Sequence, residues 1–234
     1  MSFDLTIFWD QLMSPVYLQG ALLAVLVALG SLVLAIAIGL AMALMKRSEN
    51  KVALAAANTY VWFFRALPSM LMLVICWNAL PQLIPAFRAD WYSPFVAAVI
   101  ALGVSEAAYV AEMLRSAIMA VDDGQRLAAR ALGMTPVQTF LKVVVPQATR
   151  IAIPSLGNEL IALVKLTAIA SVISLQELMR VATIGVQATF RYAEYYAVAI
   201  IYYLVIVSLI MIVQSVIEKR FQWTSKQQKV RVTK

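Results

Sequence analysis

Residues 16–45 read VYLQGALLAVLVALGSLVLAIAIGLAMALM and contain no charged side chain. This run exceeds the roughly 20 apolar residues that an α-helix needs to cross the hydrocarbon core of a bilayer. The residues before it include Asp4 and Asp10 but no Lys or Arg, whereas a cleaved signal peptide begins with a basic segment and has a shorter apolar run. We therefore expect a membrane-spanning helix at 16–45.

The rest of the chain has the same character, since 63% of all residues are hydrophobic, 13% are charged and the mean hydropathy is +0.84. These values predict an all-α polytopic membrane protein with about five transmembrane helices in a single transmembrane domain, residues 1–234. The spans predicted after the first are about 52–80, interrupted at Pro68, then 94–118, 154–173 and 195–217. Ser174 and Glu177 have the spacing of a capping box, which predicts a short interfacial helix from 175 to about 188.

The Lys and Arg residues outside the spans indicate the orientation. Most of them follow the first, third and fifth spans, whereas the opposite side carries Arg88, Arg180 and Arg191. Because cytoplasmic loops are enriched in Lys and Arg, we expect the N-terminus outside and the C-terminus in the cytoplasm. The net charge of +7 then reflects topology and predicts no nucleic-acid partner. The basic tail, 218–234, is expected to rest on anionic membrane lipid, and the alternative is a solvated end that stops the last helix.

A polar segment at about 119–150 interrupts the apolar chain on the predicted cytoplasmic side. Residues 122–138 within it read DDGQRLAARALGMTPVQ. Asp122 or Asp123 can cap a first helix, and Gly133 can end that helix in a left-handed conformation. The segment is therefore predicted to be structured and to contact something in the aqueous phase.

The same segment predicts a second short helix. Thr135 and Gln138 have the spacing of a capping box, with Pro136 at the first helical position. Two short helices joined by a turn also occur in DNA-binding proteins, and Arg126 and Arg130 are basic. DNA binding is the disfavoured alternative, because short loop motifs of this kind often match by chance.

Several absences from the sequence limit the chemistry. The chain has no His and a single Cys, Cys76, so a metal cluster or a His-based active site is not expected. It also lacks the phosphate-binding pattern G-x-x-x-x-G-K-[ST]. We expect no enzymatic activity and no bound cofactor; if ATP drives the protein, another chain must bind it.

Polar side chains inside predicted spans are candidates for function because they are costly in a bilayer. The third span carries a stripe on one helical face, with Glu106 beside it. The stripe is formed by Ser105, Tyr109, Glu112 and Ser116. On the fourth span, Asn158 and Lys165 are seven residues apart and share a face.

Glu106 and Lys165 are both expected near the bilayer midplane. Each lies 11 or 12 residues from the predicted outer or inner end of its span, a depth of roughly 16–18 Å at 1.5 Å per residue. We hypothesise that they pair with each other or that both meet a zwitterionic substrate. The alternative is an ion pair that only fixes helix packing.

The polar segment resembles the conserved EAA loop of permease subunits of ATP-binding cassette importers. The shared positions are Gly124, Gln125, Ala128, Ala129, Gly133, Val143 and Pro146. Leu127 stands where that loop has its Glu. The resemblance implies that this coupling loop, including Arg126 and Arg130, docks on a cytoplasmic ATPase.

Other segments resemble permeases for polar amino acids of the histidine, glutamine, arginine and opine type. These segments are FRALP at 64–68, AYVAE at 108–112 with Arg115, PSLGNE at 154–159 and KLT at 165–167. The resemblance implies import of a polar amino acid or related zwitterion across the bacterial inner membrane. The alternative is an ATP-independent secondary carrier or channel.

The same resemblance implies the assembly. Its expected parts are two permease subunits, a dimer of ATPases that bind ATP and Mg, and a periplasmic solute-binding protein. Leu166 replaces an Asp common in such permeases, which favours a heterodimer over a homodimer. The substrate-path candidates are Arg65, Glu106, Tyr109, Glu112, Asn158, Glu159 and Lys165.

Overall fold

The computed structural model describes residues 3–221, and its regular structure is helical. The first six α-helices are α1 (Leu5–Leu12), α2 (Pro15–Met45), α3 (Lys51–Ala66), α4 (Ser69–Val74), α5 (Leu80–Leu83) and α6 (Pro94–Met119). The others are α7 (Asp123–Ala131), α8 (Pro136–Thr139), α9 (Val145–Leu166), α10 (Leu178–Thr189) and α11 (Tyr192–Phe221). Two π-helical turns, Ile75–Ala79 and Phe140–Val144, and two 3₁₀ segments, Pro85–Arg88 and Thr167–Ile173, connect some of them.

Within residues 3–221, four helices have the length and apolar character of membrane spans, and a bent helix pair makes a fifth if it is counted as one span. Four are Pro15–Met45, Pro94–Met119, Pro136–Ile173 and Tyr192–Arg220, and the fifth is the broken pair Lys51–Ala66 and Ser69–Leu83. The prediction of an all-α polytopic protein with about five spans is confirmed. Of the predicted basic tail, residues up to 221 continue α11, and the remainder lies outside the described residues.

The second span breaks where the sequence predicts it. Helices α3 and α4 meet at an angle of 100° around Leu67 and Pro68. Leu67 is extended, with φ −84° and ψ 128°, because the ring of a following proline disfavours the helical conformation. The break ends α3 next to Arg65 and exposes that side chain beside the core.

The fourth span differs from its prediction. The helical run begins at Pro136 rather than at 154. The coupling loop, predicted at about 119–150, is therefore shorter and consists of α7, the turn after it and α8, which is also the first part of the helical run. Pro154 was the predicted start of this span, but it lies within α9. Proline is tolerated in the interior of a membrane helix because neighbouring groups satisfy the freed carbonyl.

The capping prediction for α10 is wrong in detail. Ser174 adopts a left-handed conformation, with φ 63°, and does not cap the helix. Glu177 itself is the N-cap, and its carboxylate accepts the N–H groups of Met179 and Arg180 at 2.9 and 2.8 Å. Tyr203 of α11 donates its hydroxyl to the same carboxylate at 2.9 Å. This buried glutamate therefore joins α10 to the last span.

The centre of the molecule is the contact between α2 and α6, which is built from small residues. Ala28, Ala35 and Gly39 on α2 are buried against Ala107 and other small residues of α6. Small side chains let helix backbones approach closely, which favours association of transmembrane helices by van der Waals packing. Because α2 packs on one face of α6, the polar groups of α6 lie on its other faces.

Replacing Gly39 with Leu is expected to destabilise the protein by about 1–3 kcal/mol through overpacking. A Cβ atom at Gly39 would lie 2.9 Å from Val110 Cγ1 and 3.0 Å from the backbone nitrogen of Ala111. Ala37 on the same helix is exposed and provides the matched Ala37→Leu control. Survival of monodisperse protein after heating in detergent measures the effect; equal survival of both variants would contradict the packing model.

The N-terminal helix α1 was not predicted and packs against the start of α11. The backbone N–H of Asp4 donates to Glu194 at 2.9 Å, and the Tyr202 hydroxyl donates to the carbonyl of Leu12 at 2.9 Å. Arg191 lies 3.9 Å from Asp4 and 3.1 Å from Glu194. These contacts join the N-terminal helix to the last span, next to α10.

Candidate functional site

The first helix of the coupling loop, α7, has both predicted ends. Asp122 is the N-cap and accepts the N–H of Gly124 at 2.6 Å. At the other end Gly133 has φ +78° and donates to the carbonyl of Arg130 at 2.9 Å. The N–H of Met134 donates to the carbonyl of Ala129 at 3.1 Å, which completes a Schellman motif. The left-handed glycine therefore sets the turn between the two helices.

The second helix begins with the predicted capping box. The N–H of Gln138 donates to Thr135 Oγ1 at 3.2 Å, and the N–H of Thr135 donates to Gln138 Oε1 at 3.0 Å. Pro136 occupies the first helical position. Because α8 continues through the π-helical turn into α9, the loop and the fourth span form one helical run.

The two faces of α7 differ. Ala129 is buried, and Arg126 donates through Nη2 to the carbonyl of Ile118 at 2.7 Å, so this face contacts the end of α6. The opposite face presents Leu127, 64% exposed, and at the turn Leu132, 82% exposed. Of the other predicted loop residues, the exposed ones are Gly124, Gln125, Ala128, Arg130, Gly133 and Pro146.

Glu106 and Glu159 meet inside the span region. Both are largely buried, with 9% and 7% of their surface exposed, and their carboxyl groups lie close enough to interact electrostatically. Glu106 belongs to α6 and Glu159 to α9, so the contact joins two predicted substrate-path residues. Two adjacent carboxylates repel each other unless a proton or a cationic group lies between them.

The hypothesis that Glu106 pairs with Lys165 is wrong for this conformation. Lys165 is exposed near the end of α9, and no ion pair joins it to Glu106 within residues 3–221. Similar depth in the membrane placed the two residues at one level, but their helical faces differ. Glu159 lies six residues before Lys165 on α9 and takes the place facing α6 instead.

Three other predicted residues line one open recess of about 590 Å³ between α3 and α6. They are Arg65, Tyr109 and Glu112. The Arg65 guanidinium carbon lies 5.3 Å from the centre of the Tyr109 ring, a cation–π contact. Arg65 has no carboxylate partner in the described part of the chain.

Glu112 is the acidic side chain of this recess and is paired on both sides. It contacts Lys46 at the end of α2 and accepts from Arg115 Nε at 2.8 Å. Lys46 was counted in the sequence only as a loop charge. Its contact with Glu112 follows from the last turn of α2 packing beside α6, which the separate span predictions did not reveal.

Asn158 lies on another surface, between α9 and α11. Gln214 Nε2 lies 3.2 Å from Asn158 Oδ1, 3.2 Å from the carbonyl of Pro154 and 2.8 Å from Glu218 Oε1. Gln214 and Glu218 were not identified as site residues. A Gln inside an apolar run with Glu four residues later on the same face was the available signal.

Over residues 3–221 no cluster of three or more His, Cys, Asp or Glu side chains has the geometry to hold a metal ion. The polar groups of the spans can offer hydrogen bonds and charges to a bound molecule. Arg65 and Glu112 mark one region and the Glu106–Glu159 pair another. This division into a basic group and a carboxyl pair suits a molecule that carries both a carboxylate and a cationic group.

The sequence matches a known family over residues 35–223, the binding-protein-dependent transport system inner membrane component family. A probable amino-acid permease of Bacillus subtilis, YxeN, is 33% identical over 220 residues, covering 93% of this chain and 95% of that protein. The arginine transport system permease protein ArtQ of Bacillus subtilis is 34% identical over 208 residues, covering 89% and 93%.

Solved structures agree with the fold. A chain in the crystal structure of an amino acid ABC transporter with histidines is similar at a TM-score of 0.83 and 34% identity, covering 94% of this chain and 100% of that chain. A chain of the MetNI methionine ABC transporter in an inward-facing conformation has a TM-score of 0.73 at 22% identity. At that identity the second likeness concerns the fold alone.

Proposed function

Because the chain belongs to the family of inner membrane components of binding-protein-dependent transport systems, we propose that it is the permease subunit of an ABC importer for polar amino acids or related zwitterions. The coupling loop is the observation that carries this proposal. Its first helix is capped at both ends, exposes Leu127 and Leu132, and joins through α8 to the fourth span. A passive carrier or channel has no need for such a loop.

ATP and Mg bind to a dimer of ATPase subunits, and this chain performs no hydrolysis. The sequence has no phosphate-binding loop of the G-x-x-x-x-G-K-[ST] type, which supports a separate energy source. Closure of the ATPase dimer moves α7, and the continuous helix Pro136–Ile173 conveys that movement to Glu159. The loop residues thereby couple nucleotide state to access of the solute path.

The solute is expected to be a polar amino acid because relatives with about a third of their residues identical are named for amino-acid transport. Arg65 offers an exposed guanidinium suited to a carboxylate, and the Glu106–Glu159 pair offers acceptors for an ammonium or guanidinium group. Tyr109 and Glu112 line the recess beside Arg65. Asn158 and Lys165 remain candidates on exposed faces of α9.

The assembly contains two permease subunits and a periplasmic solute-binding protein that delivers the solute. We favour a heterodimer because Leu166 replaces the Asp common in similar permeases, so a partner permease would supply that carboxylate. The inner-membrane orientation places the N-terminus outside and α7 in the cytoplasm, supported by the Lys and Arg residues around α7.

Co-purification tests the proposed assembly. The tagged chain is expressed at native level, purified in mild detergent and analysed by mass spectrometry together with a known importer as a control. We expect recovery of an ATPase with a phosphate-binding loop and of a second permease of similar length. Recovery of this chain alone, while the control importer stays intact, would support the secondary carrier or channel instead.

A further inference from the structure

A basic pocket of about 140 Å³ lies between the end of α2, the body-facing side of α7 and the start of the α8–α9 run. Its polar lining residues are Arg47, Arg126, Arg130 and Thr139. Phe140 contributes an apolar wall. The pocket is separate from the recess that contains Arg65 and from the Glu106–Glu159 pair.

Two hydrogen-bonding groups of this pocket have no partner. Thr139 is 5% exposed, and its Oγ1 makes no hydrogen bond; the buried Nε of Arg126 also makes none. A threonine within a helix commonly donates to the carbonyl four residues earlier, as Thr149 does to Val145 at 2.8 Å. Since buried polar groups are nearly always paired, these two groups indicate a missing acceptor.

The charge of the pocket indicates that the acceptor is an anion. Asp123 Oδ1 lies 3.4 Å from Arg126 Nη1, but the Asp123 side chain is 86% exposed and so stands at the rim. The pKa of Arg47 is lowered, mainly by partial burial and to a smaller extent by repulsion from Arg126. Three guanidinium groups and one rim carboxylate leave an excess of positive charge, and a guanidinium fork matches phosphate oxygens.

The position of the pocket identifies the source of the anion. Arg47 follows the last residue of α2, Met45, by two positions, so the pocket lies where the first span leaves the membrane. Val137 and Leu141 belong to the same helical run as the lining residues Thr139 and Phe140, and they are 67% and 58% exposed apolar side chains. Basic pockets bordered by apolar surface at this level are suited to anionic lipid headgroups.

We propose that this pocket binds the phosphate of an anionic phospholipid, with free inorganic phosphate as the other source of the same oxyanion. The oxyanion accepts from Arg47, Arg126, Arg130 and Thr139 and thereby holds α7 to the ends of α2 and α9. The assignment of this lipid to the inner leaflet rests on the proposed orientation of the chain. The site itself does not depend on which solute is transported or on whether ATP drives transport.

Native mass spectrometry tests the lipid site on the full chain, purified with the subunits that accompany it. The complex is titrated with short-chain phosphatidylglycerol or phosphatidylcholine. We expect preferential binding of phosphatidylglycerol, weakened about tenfold or more by Arg47→Gln and at least about threefold by Thr139→Val, since each removes a hydrogen bond to a charged acceptor. Arg150→Gln, an exposed basic residue outside the pocket, is the matched control and is expected to bind normally.

The second possible source of the oxyanion is free inorganic phosphate. It is tested by measuring thermal stability in neutral lipid, with phosphate added at constant ionic strength. Stabilisation by phosphate that Arg47→Gln removes and Arg150→Gln retains would support an oxyanion site filled from solution. Thr139→Val keeps the side-chain shape, so its stability without ligand should equal that of the wild type. Binding of neither probe, or equal weakening by Arg47→Gln and Arg150→Gln, would overturn the proposal.

Discussion

Replacing Gly133 with Val is expected to lower ATP-driven uptake by roughly tenfold while the subunits still assemble. Gly133 has φ +78°, a conformation that costs an ordinary L-residue about 1–2 kcal/mol and a β-branched residue more. A Cβ atom at this position would meet no atom within 4 Å, so strain in the backbone is the cause. Relief of that strain turns α7 away from the direction set by its Schellman motif.

Gly133→Asn is the matched control because Asn tolerates the left-handed conformation. Uptake by proteoliposomes that contain the solute-binding protein measures the effect, and the ratio of solute moved to ATP hydrolysed reports coupling. We expect the ratio to fall in Gly133→Val and to be retained in Gly133→Asn. Normal uptake by the Val variant would exclude a rigid coupling loop.

Removing one carboxyl group from the buried pair is the second large effect. Glu106→Gln and Glu159→Gln are each expected to raise the KM for uptake about tenfold or more, because the solute loses a charge-assisted hydrogen bond. Gln keeps the size of the side chain and can donate a hydrogen bond to the remaining carboxylate. Expression and stability in detergent should therefore change little.

Lys165→Met provides a comparison for the carboxyl variants. Lys165 is exposed and does not contact Glu106, so its effect on stability should add to that of Glu106→Gln within about 0.5 kcal/mol. If the effects of the two substitutions on stability are strongly non-additive, Glu106 and Lys165 would form an ion pair after all, which would contradict the structure. An unchanged KM with reduced yield of Glu106→Gln would assign the carboxyl pair to helix packing alone.

Local signals in the sequence predicted the local structure well. The caps at Asp122 and Thr135, the left-handed Gly133 and the break at Pro68 each depend on a few adjacent residues, and all four are confirmed. Pro154 misled because proline both starts helices and is tolerated inside a membrane helix. Ser174 misled because a glutamate can cap a helix without a preceding serine.

The pairing of side chains between spans was not predictable from single helices. Glu106 and Lys165 have a similar predicted depth in the membrane. However, α9 is oriented about its axis so that Glu159, and not Lys165, faces Glu106. Lys46 and Gln214 were missed for the same reason, since their partners lie on other helices. Helix periodicity defines faces, and only packing decides which faces meet.

ATP-dependent accumulation in proteoliposomes tests the central claim most directly. The purified complex is reconstituted with ATP and Mg on the side of α7 and with the solute-binding protein and radiolabelled amino acid on the other side. We predict accumulation against the gradient that stops when ATP is replaced by a non-hydrolysable analogue. Equal uptake without ATP, reaching only the external concentration, would show that this chain acts as a passive carrier or channel.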